Sequence, residues 1–300
     1  METTGSLEDT EFLCERALKT KDPFLHSCYR NSVFAMDRLL MNYKSVFPFY
    51  TNHTFEHSTQ VINYCNMLAG AENVEKLNAD ELYILLMGAG LHDIGMGVSR
   101  KDFDAVKDRV DGLDQYIKDH PDEPLGEYTR EFHQELSAET IRKYSALFEI
   151  PSEEYVYCIG QIARGHRKHD LMNIEEYDPA FRLESGNTVR LPYLAVLVKL
   201  ADELDVTADR NLLFDMAVLQ NWNNDSKAHF IRHSAVHRLL PCGDKIVIQY
   251  DTDDAEIEKD IRELERKARL ILEEYKTVIR ERTDLTPMFT GLNYVKEKKE

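Results

Sequence analysis

Apolar residues recur at helical spacing through most of this chain, and that periodicity constrains the fold more than any other feature. Between Phe55 and Leu68, for example, Val61, Cys65 and Leu68 lie on one helical stripe. The same reasoning predicts helices over His133 to Phe148, over Ser152 to Arg164 and from Pro192 through Leu204. Up to about residue 215 we therefore expect an all-α body.

The helix predicted from Leu82 to Ala89 carries signals at both ends. Asn78 followed by Glu81 is typical of a capping box, in which each side chain accepts a hydrogen bond from the backbone of the other residue. Gly95 is expected to stop the helix just after the doublet His92-Asp93. The doublet should therefore lie at a helix end, where its side chains can face a cavity.

The C-terminal part of the chain has a different pattern. The β-branched residues from Lys245 to Tyr250 predict a strand, and His229 to Val236 is expected to pair with it across a turn at Pro241. Ile257 to Val278 then predicts a long amphipathic helix. Ion pairs four residues apart should reinforce this helix: Glu258 with Arg262, Glu263 with Lys267, and Glu265 with Arg269.

Together these patterns predict a mainly α protein in two parts. A helical domain would occupy residues 1–215, and a small α+β extension, made of a β-hairpin and the long helix, would occupy residues 216–300. The charged and irregular segment from Lys168 to Asn187 is expected to be a loop or lid. A hydrophobic fraction of 43% in 300 residues is enough for a sizeable core.

The formal net charge of −17 argues against some classes of partner. A phosphate backbone or an anionic membrane would repel such a surface, so we expect neither general nucleic-acid binding nor membrane association. Five scattered cysteines without a CxxC pair are typical of reduced thiols. The N-terminus lacks a signal-like segment, and the longest apolar runs are shorter than a membrane span. We expect a soluble cytoplasmic protein. Its oligomeric state is left open, and a homo-oligomer is one of the alternatives.

The residues most suggestive of chemistry surround the run Gly-Leu-His-Asp-Ile-Gly, which contains His92 and Asp93. His57 lies far upstream of this doublet, and the acidic residues Asp202 and Asp205 lie far downstream. A neutral imidazole and a carboxylate on adjacent residues can bind one divalent ion, and the carboxylate remains free to reach a second ion. This layout predicts a metal-centred enzyme.

In this order, His57, the doublet and Asp202 resemble the H…HD…D signature of the HD superfamily of metal-dependent phosphohydrolases. The resemblance spans roughly residues 45 to 210. His133 and His166 resemble the extra histidines with which binuclear members, including the HD-GYP phosphodiesterases, hold a second metal. The resemblance implies an HD-type helical bundle that hydrolyses a phosphomonoester or phosphodiester of a small, nucleotide-like substrate.

The resemblance also implies a ligand set for two divalent ions and assigns Asp93, His133 and His166 to catalysis. One ion would be held by His57, His92, Asp93 and Asp202, and the other by Asp93, His133 and His166, with Asp93 bridging. The metal could be Mn, Fe, Co, Ni, Zn or Mg. His133 or His166 could instead act as a general acid or line the pocket. Asp205 is expected to cap or orient a neighbouring residue, which can be a ligand, and not to bind metal itself.

The chain departs from the HD-GYP pattern at three points. It has His166-Arg167 where that pattern has two histidines, Met96 where it has a lysine, and no Gly-Tyr-Pro motif. A cyclic dinucleotide substrate is therefore not supported, and Arg167 is predicted to offer its planar donor fork to a phosphate. The predicted substrate-binding residues are Arg100, Arg164, Arg167 and Lys168. Weaker candidates for contact with the substrate are Lys101, Lys199 and Arg210, and His53 could assist either the metal or the substrate.

Other functions remain open. Within the hydrolase class, the options are a nucleotidase or dNTP hydrolase, a cyclic-nucleotide or oligonucleotide phosphodiesterase, and an alarmone hydrolase. Two rivals from other classes are a noncatalytic HD sensor or regulatory module and a mixed-valence di-iron oxygenase on the same scaffold. His229, His233 and His237 lack acidic partners, so we expect them to form a polar strand face and not a second metal site.

Overall fold

The computed structural model describes residues 12–47, 54–206 and 235–297 of the chain. The first helices are α1 (Leu13–Lys21), α2 (Pro23–Leu40), α3 (Tyr43–Val46), α4 (Phe55–Lys76) and α5 (Ala79–Leu91). After a 3₁₀ turn (Ile94–Gly97) come α6 (Arg100–Val106), a second 3₁₀ turn (Lys107–Arg109), α7 (Leu113–Asp119), α8 (Leu125–Lys143), α9 (Glu153–Gly165) and α10 (Leu191–Leu204). The C-terminal part contains β3 (Val236–Cys242), β4 (Lys245–Tyr250), α11 (Ala255–Arg282) and β5 (Gly291–Lys296). The predicted fold class, mainly α with a small C-terminal α+β extension, is confirmed.

Helix α5 lies in the centre of the helical body, and its start matches the prediction. The side chain of Asn78 accepts a hydrogen bond from the Glu81 backbone at 2.9 Å, and the Glu81 carboxylate accepts one from the Asn78 backbone at 3.0 Å. Glu81 is fully buried and is neutralised by the Arg190 guanidinium, 2.8 Å from both carboxylate oxygens. Residues 80–91 are all buried against surrounding helices, among them α4 and α9.

The C-terminal sheet has β4 in its middle. Strand β3 pairs with β4 antiparallel, and β5 pairs with β4 parallel after the chain has passed through α11. The predicted strand over Lys245 to Tyr250 is confirmed, whereas β5 was not predicted. Its hairpin partner begins at Val236, and the predicted residues 229–234 lie outside the described part. The turn falls at Gly243, which has a φ of +60°, because Pro241 lies within the strand opposite Ile246.

Helix α11 packs against α10 and shares its core. Ile261, Ala268, Leu272 and Tyr275 belong to the same buried cluster as the helices of the body, and the Tyr275 hydroxyl donates to the Leu68 carbonyl at 3.0 Å. The extension therefore has no separate core among the described residues. The division into 1–215 and 216–300 stays a prediction.

Several details differ from the sequence-based expectations. The helix predicted from His133 starts earlier and ends at Lys143, and the expected loop between Lys168 and Asn187 contains β1 (Phe181–Arg182), which pairs with β2 (Thr188–Val189). The pairs Glu258 with Arg262 and Glu265 with Arg269 are present at 2.7 Å each. Lys267, however, contacts Glu203 of α10 at 2.5 Å, because that carboxylate faces α11.

No single helix in the described ranges is long and apolar enough to cross a membrane. The segments Ala79–Gly97 and Arg100–Arg109 meet that standard only when joined across a bend of 108°.

Candidate metal centre

Helix ends bring the predicted ligands together. His57 lies in the first turn of α4, and His92 follows the last residue of α5. His133 lies inside α8, His166 follows the last residue of α9, and Asp202 lies in the last turn of α10. Because all five side chains belong to different helices, the centre depends on the packing of the whole helical body.

A close approach between the 3₁₀ turn and α8 sets the distance between the doublet and His133. A Cβ added to Gly95 would overlap the His133 carbonyl oxygen and would lie 2.6 Å from the Ser137 nitrogen. The Gly95 amide donates to the Ser137 hydroxyl at 2.9 Å. Phe132 has non-helical dihedrals and bends α8 just before the histidine. Gly95 is therefore required for packing as well as for the helix end that was predicted.

The four imidazoles are each held through Nδ1. In His92, His133 and His166, Nδ1 contacts the carbonyl oxygen three residues earlier, at 2.8, 2.7 and 2.5 Å. In His57, Nδ1 contacts a carboxylate oxygen of Asp205 at 2.5 Å. Carbonyl and carboxylate oxygens only accept, so Nδ1 donates in every case. In the neutral imidazole this leaves Nε2 unprotonated and free to bind a metal.

Asp93 lies between two pairs of histidines. Its Oδ2 is 3.5 Å from the Nε2 atoms of His57 and His92. Its Oδ1 is 3.6 Å from the Nε2 atoms of His133 and His166. The carboxylate therefore presents one oxygen to each pair.

The donor atoms form two groups that fit a metal ion each. The first group is His57, His92 and Asp202, and the second is Asp93, His133 and His166; within each, the candidate atoms lie within 4.8 Å of one another. The facing Nε2 atoms are 3.2 Å apart in the first group and 3.0 Å apart in the second. Two unprotonated nitrogens at that distance repel each other unless a cation lies between them. The nitrogen and oxygen donors suit divalent transition metals.

Burial adjusts the protonation of these groups in the direction that metal binding requires. It lowers the pKa of His133, and burial together with the neighbouring imidazoles lowers the pKa of His166 well below its usual value. For Asp202, burial raises the pKa, but contacts with His57 and His92 outweigh it and hold the pKa well below the usual range. His133 and His166 are thus neutral and Asp202 is ionised at pH 7, as ligands must be.

A cavity of about 350 Å³ opens beside the centre, between the ends of α9 and α10 and the side of α11. His166 and Asp202 form its inner edge, and Arg167 lies next to them. Leu270 and Ile271 of α11 supply its apolar wall. The sequence predicted the amphipathic helix, which we interpreted as a packing element, because no local signal places it beside the predicted ligands.

The predicted substrate-binding residues do not all reach this cavity. Arg167 and Lys168 line it, and so does the weaker candidate Lys199. Arg164 instead points away, and its guanidinium donates to Glu135 at 2.8 Å. Arg100 is exposed and pairs with Asp104 at 3.0 Å.

Some predicted residues fall outside the described ranges or away from the site. His53, Arg210, His229 and His233 lie outside the described residues. Lys101 is exposed on α6, and His237 is exposed on β3. The strand-face interpretation of the three C-terminal histidines therefore stays a prediction.

The fold and the two His/Asp groups define an HD-type domain with a possible metal centre. The HD-CE family model matches residues 47–284, which is more than half of the chain. The chain belongs to the HD-CE family. The match crosses the predicted boundary at residue 215 and includes α11. No curated protein and no solved structure matches the chain.

Proposed function

We propose that this protein is a metal-dependent phosphohydrolase with two divalent cations at its centre. The observation that carries the proposal is the position of Asp93, whose two oxygens each face a pair of unprotonated imidazole nitrogens. An HD-type domain of the HD-CE family and an adjacent open cavity support it. The resemblance to HD phosphohydrolases supplies the reaction class.

Each group of ligands would hold one cation. His57, His92 and Asp202 would hold the first, His133 and His166 the second, and Asp93 both. When bound, two such ions would polarise the phosphoryl oxygens and lower the pKa of the attacking water. Hydrolysis forms a bond between the water oxygen and phosphorus and breaks the ester P–O bond, and a water proton passes to the leaving oxygen.

The residues around the ligands then have separate tasks. Asp205 holds His57 in the tautomer that binds metal, and backbone carbonyls do the same for the other histidines. Arg167 lies beside His166 and Asp202, so its guanidinium can pair with a phosphate that reaches the centre. Arg164 and Arg100 are occupied by carboxylates and would contribute less.

We propose a nucleotide-like small molecule as the substrate. The net charge of −17 disfavours long nucleic acids, because a few basic residues at one cavity cannot offset the repulsion along a polymer. Five free cysteines, four of them buried, support a location in the reducing cytoplasm.

The test is metal content measured beside turnover. Elemental analysis of the purified protein should give about two divalent ions per chain, and a panel of nucleotides with added Mn²⁺ should give phosphate release or ester cleavage. Asp93→Ala should lose both metal and turnover while its circular dichroism stays helical. Asp104→Ala, a change to an exposed surface carboxylate, is the matched control and should keep both.

Each rival function has its own result. About one ion per chain with turnover would reduce His133 and His166 to acid-base or pocket roles. Tightly bound iron with oxygen consumption would identify an oxygenase. Full metal loading without turnover on any substrate would identify a regulatory module. Turnover in Asp93→Ala would contradict the proposed mechanism.

A further inference from the structure

The cationic side chains of the cavity wall differ in what they already contact. Arg167 makes no ion pair with a carboxylate in the part of the chain that the structure describes, although it lines the cavity beside Asp202. Lys168, in contrast, pairs with Glu131, a residue that does not line the cavity.

The two remaining lysines of the wall are neutralised within it. Lys199 contacts Glu274 at 2.9 Å, and only 11% of its side chain is exposed. Lys267 contacts Glu203 at 2.5 Å, and the Glu203 side chain is almost fully buried. Both pairs join α10 to α11, so an incoming anion would have to break a structural contact to use either charge. Among the described residues, the cavity therefore offers one free cation.

The opposite wall is apolar. Leu270, which is 58% exposed, and the adjacent Ile271 of α11 both line the cavity. Apolar side chains beside a few polar groups are typical of the lining of small-molecule pockets. The volume of about 350 Å³ is near the lower limit for small-molecule pockets.

We infer that the substrate carries a single phosphate group and one compact apolar or planar organic group, as in a nucleoside monophosphate or its cyclic form. This inference rests on the proposed function and narrows its substrate class. The metal ions held by the ligands, together with Arg167, bind the phosphate. Leu270 and Ile271 contact the organic group. A nucleoside triphosphate brings two further phosphate groups, for which the described wall has no free cation.

The test compares the mono-, di-, tri- and cyclic phosphates of the four common nucleosides on the metal-loaded protein. We expect kcat/KM for the best monophosphate or cyclic phosphate to exceed that of the matching triphosphate by about tenfold or more. Leu270→Ser should raise KM for that nucleotide by about three- to tenfold with little change in kcat. Glycerol phosphate, which lacks the apolar group, should show no such rise.

Leu147→Ser is the matched control, because Leu147 is a similarly exposed leucine at 52% and does not line the cavity. Equal or better cleavage of the triphosphate would overturn the inference and leave the phosphohydrolase standing. An equal effect of Leu270→Ser on both substrates would also overturn it. If metal-loaded protein cleaves no phosphoester at all, the proposed function fails and this inference fails with it.

Discussion

The carboxylate of Asp205 and Nδ1 of His57 lie 2.5 Å apart, although 148 positions separate the two residues in the chain. The contact joins the residue after α10 to the first turn of α4. A carboxylate behind a histidine fixes the orientation of the ring and makes Nε2 a stronger donor. Asp205 was expected from the sequence to cap or orient a neighbouring residue, and the structure identifies His57 as a residue that it contacts.

We expect Asp205→Asn to weaken metal binding by about 10- to 100-fold, because the His57 ring loses its charged partner. The fold should remain, since an amide has nearly the same shape as the carboxylate. Competition with a coloured chelator measures the affinity. Asp104→Asn changes an exposed carboxylate and should have no effect; equal affinities in the two variants would contradict the role of Asp205.

Gly95→Ala should destabilise the protein by about 2 kcal/mol or more, because the new methyl group would force the 3₁₀ turn away from α8. Metal affinity should fall too, since that turn adjoins Asp93. Gly160→Ala is the matched control: its Cβ would lie 3.6 Å from the Cβ of Ala138, an ordinary contact. In the interior of α9 it should be neutral or stabilising by about 0.5–1 kcal/mol. Urea denaturation compares the two, and similar losses would refute the packing argument.

The metal-free protein should lose stability as the pH falls below about 6.5. The pKa values of His133 and His166 are lowered in the folded protein, so the unfolded chain binds more protons in this range. The free energy of unfolding that the two neutral histidines contribute is fully present above pH 6.5. It declines as the pH falls toward their lower pKa values in the folded protein, by at most about 1.4 kcal/mol per pH unit for each histidine. Thermal denaturation with a chelator between pH 5 and 7.5 measures the slope. Replacing both histidines with asparagine should flatten it, and an unchanged slope would contradict this account.

Arg167→Gln should raise KM by about tenfold or more, because a charge-assisted hydrogen bond to the phosphate is lost. Metal content should stay the same, since no ligand is altered. Arg262→Gln is the matched control, because Arg262 is an exposed residue of α11 that pairs with Glu258. Steady-state kinetics separates the effects; a fall in metal content in Arg167→Gln would instead indicate a structural role.

Local signals explain what could be predicted from the sequence. The capping box at Asn78 and the helix over Leu82 to Ala89 depend on neighbouring residues, so the sequence contains the necessary information. The ordered series of His57, the doublet and Asp202 likewise predicted an HD-type domain, which the family match supports. The metal roles of these residues remain predictions, although the structure brings them together.

The missed features depend on contacts distant in sequence. The direction of Arg164 illustrates a helical effect: residues two apart face opposite sides of a helix, so Arg164 and His166 diverge at the end of α9. Two of these features require α11 to cross the molecule. They are the pairing of β5 with β4 and the position of Leu270 beside the centre. Periodicity identifies such a helix but does not say which surface it covers.

The position of α11 also bears on how the protein matures during synthesis. All six predicted ligands, from His57 to Asp202, leave the ribosome before Lys267, Leu270 and the strand β5. The helix that supplies one wall of the cavity is therefore synthesised after all six residues. Because α11 shares its core with the helical body, that core is complete only after translation has passed through the extension.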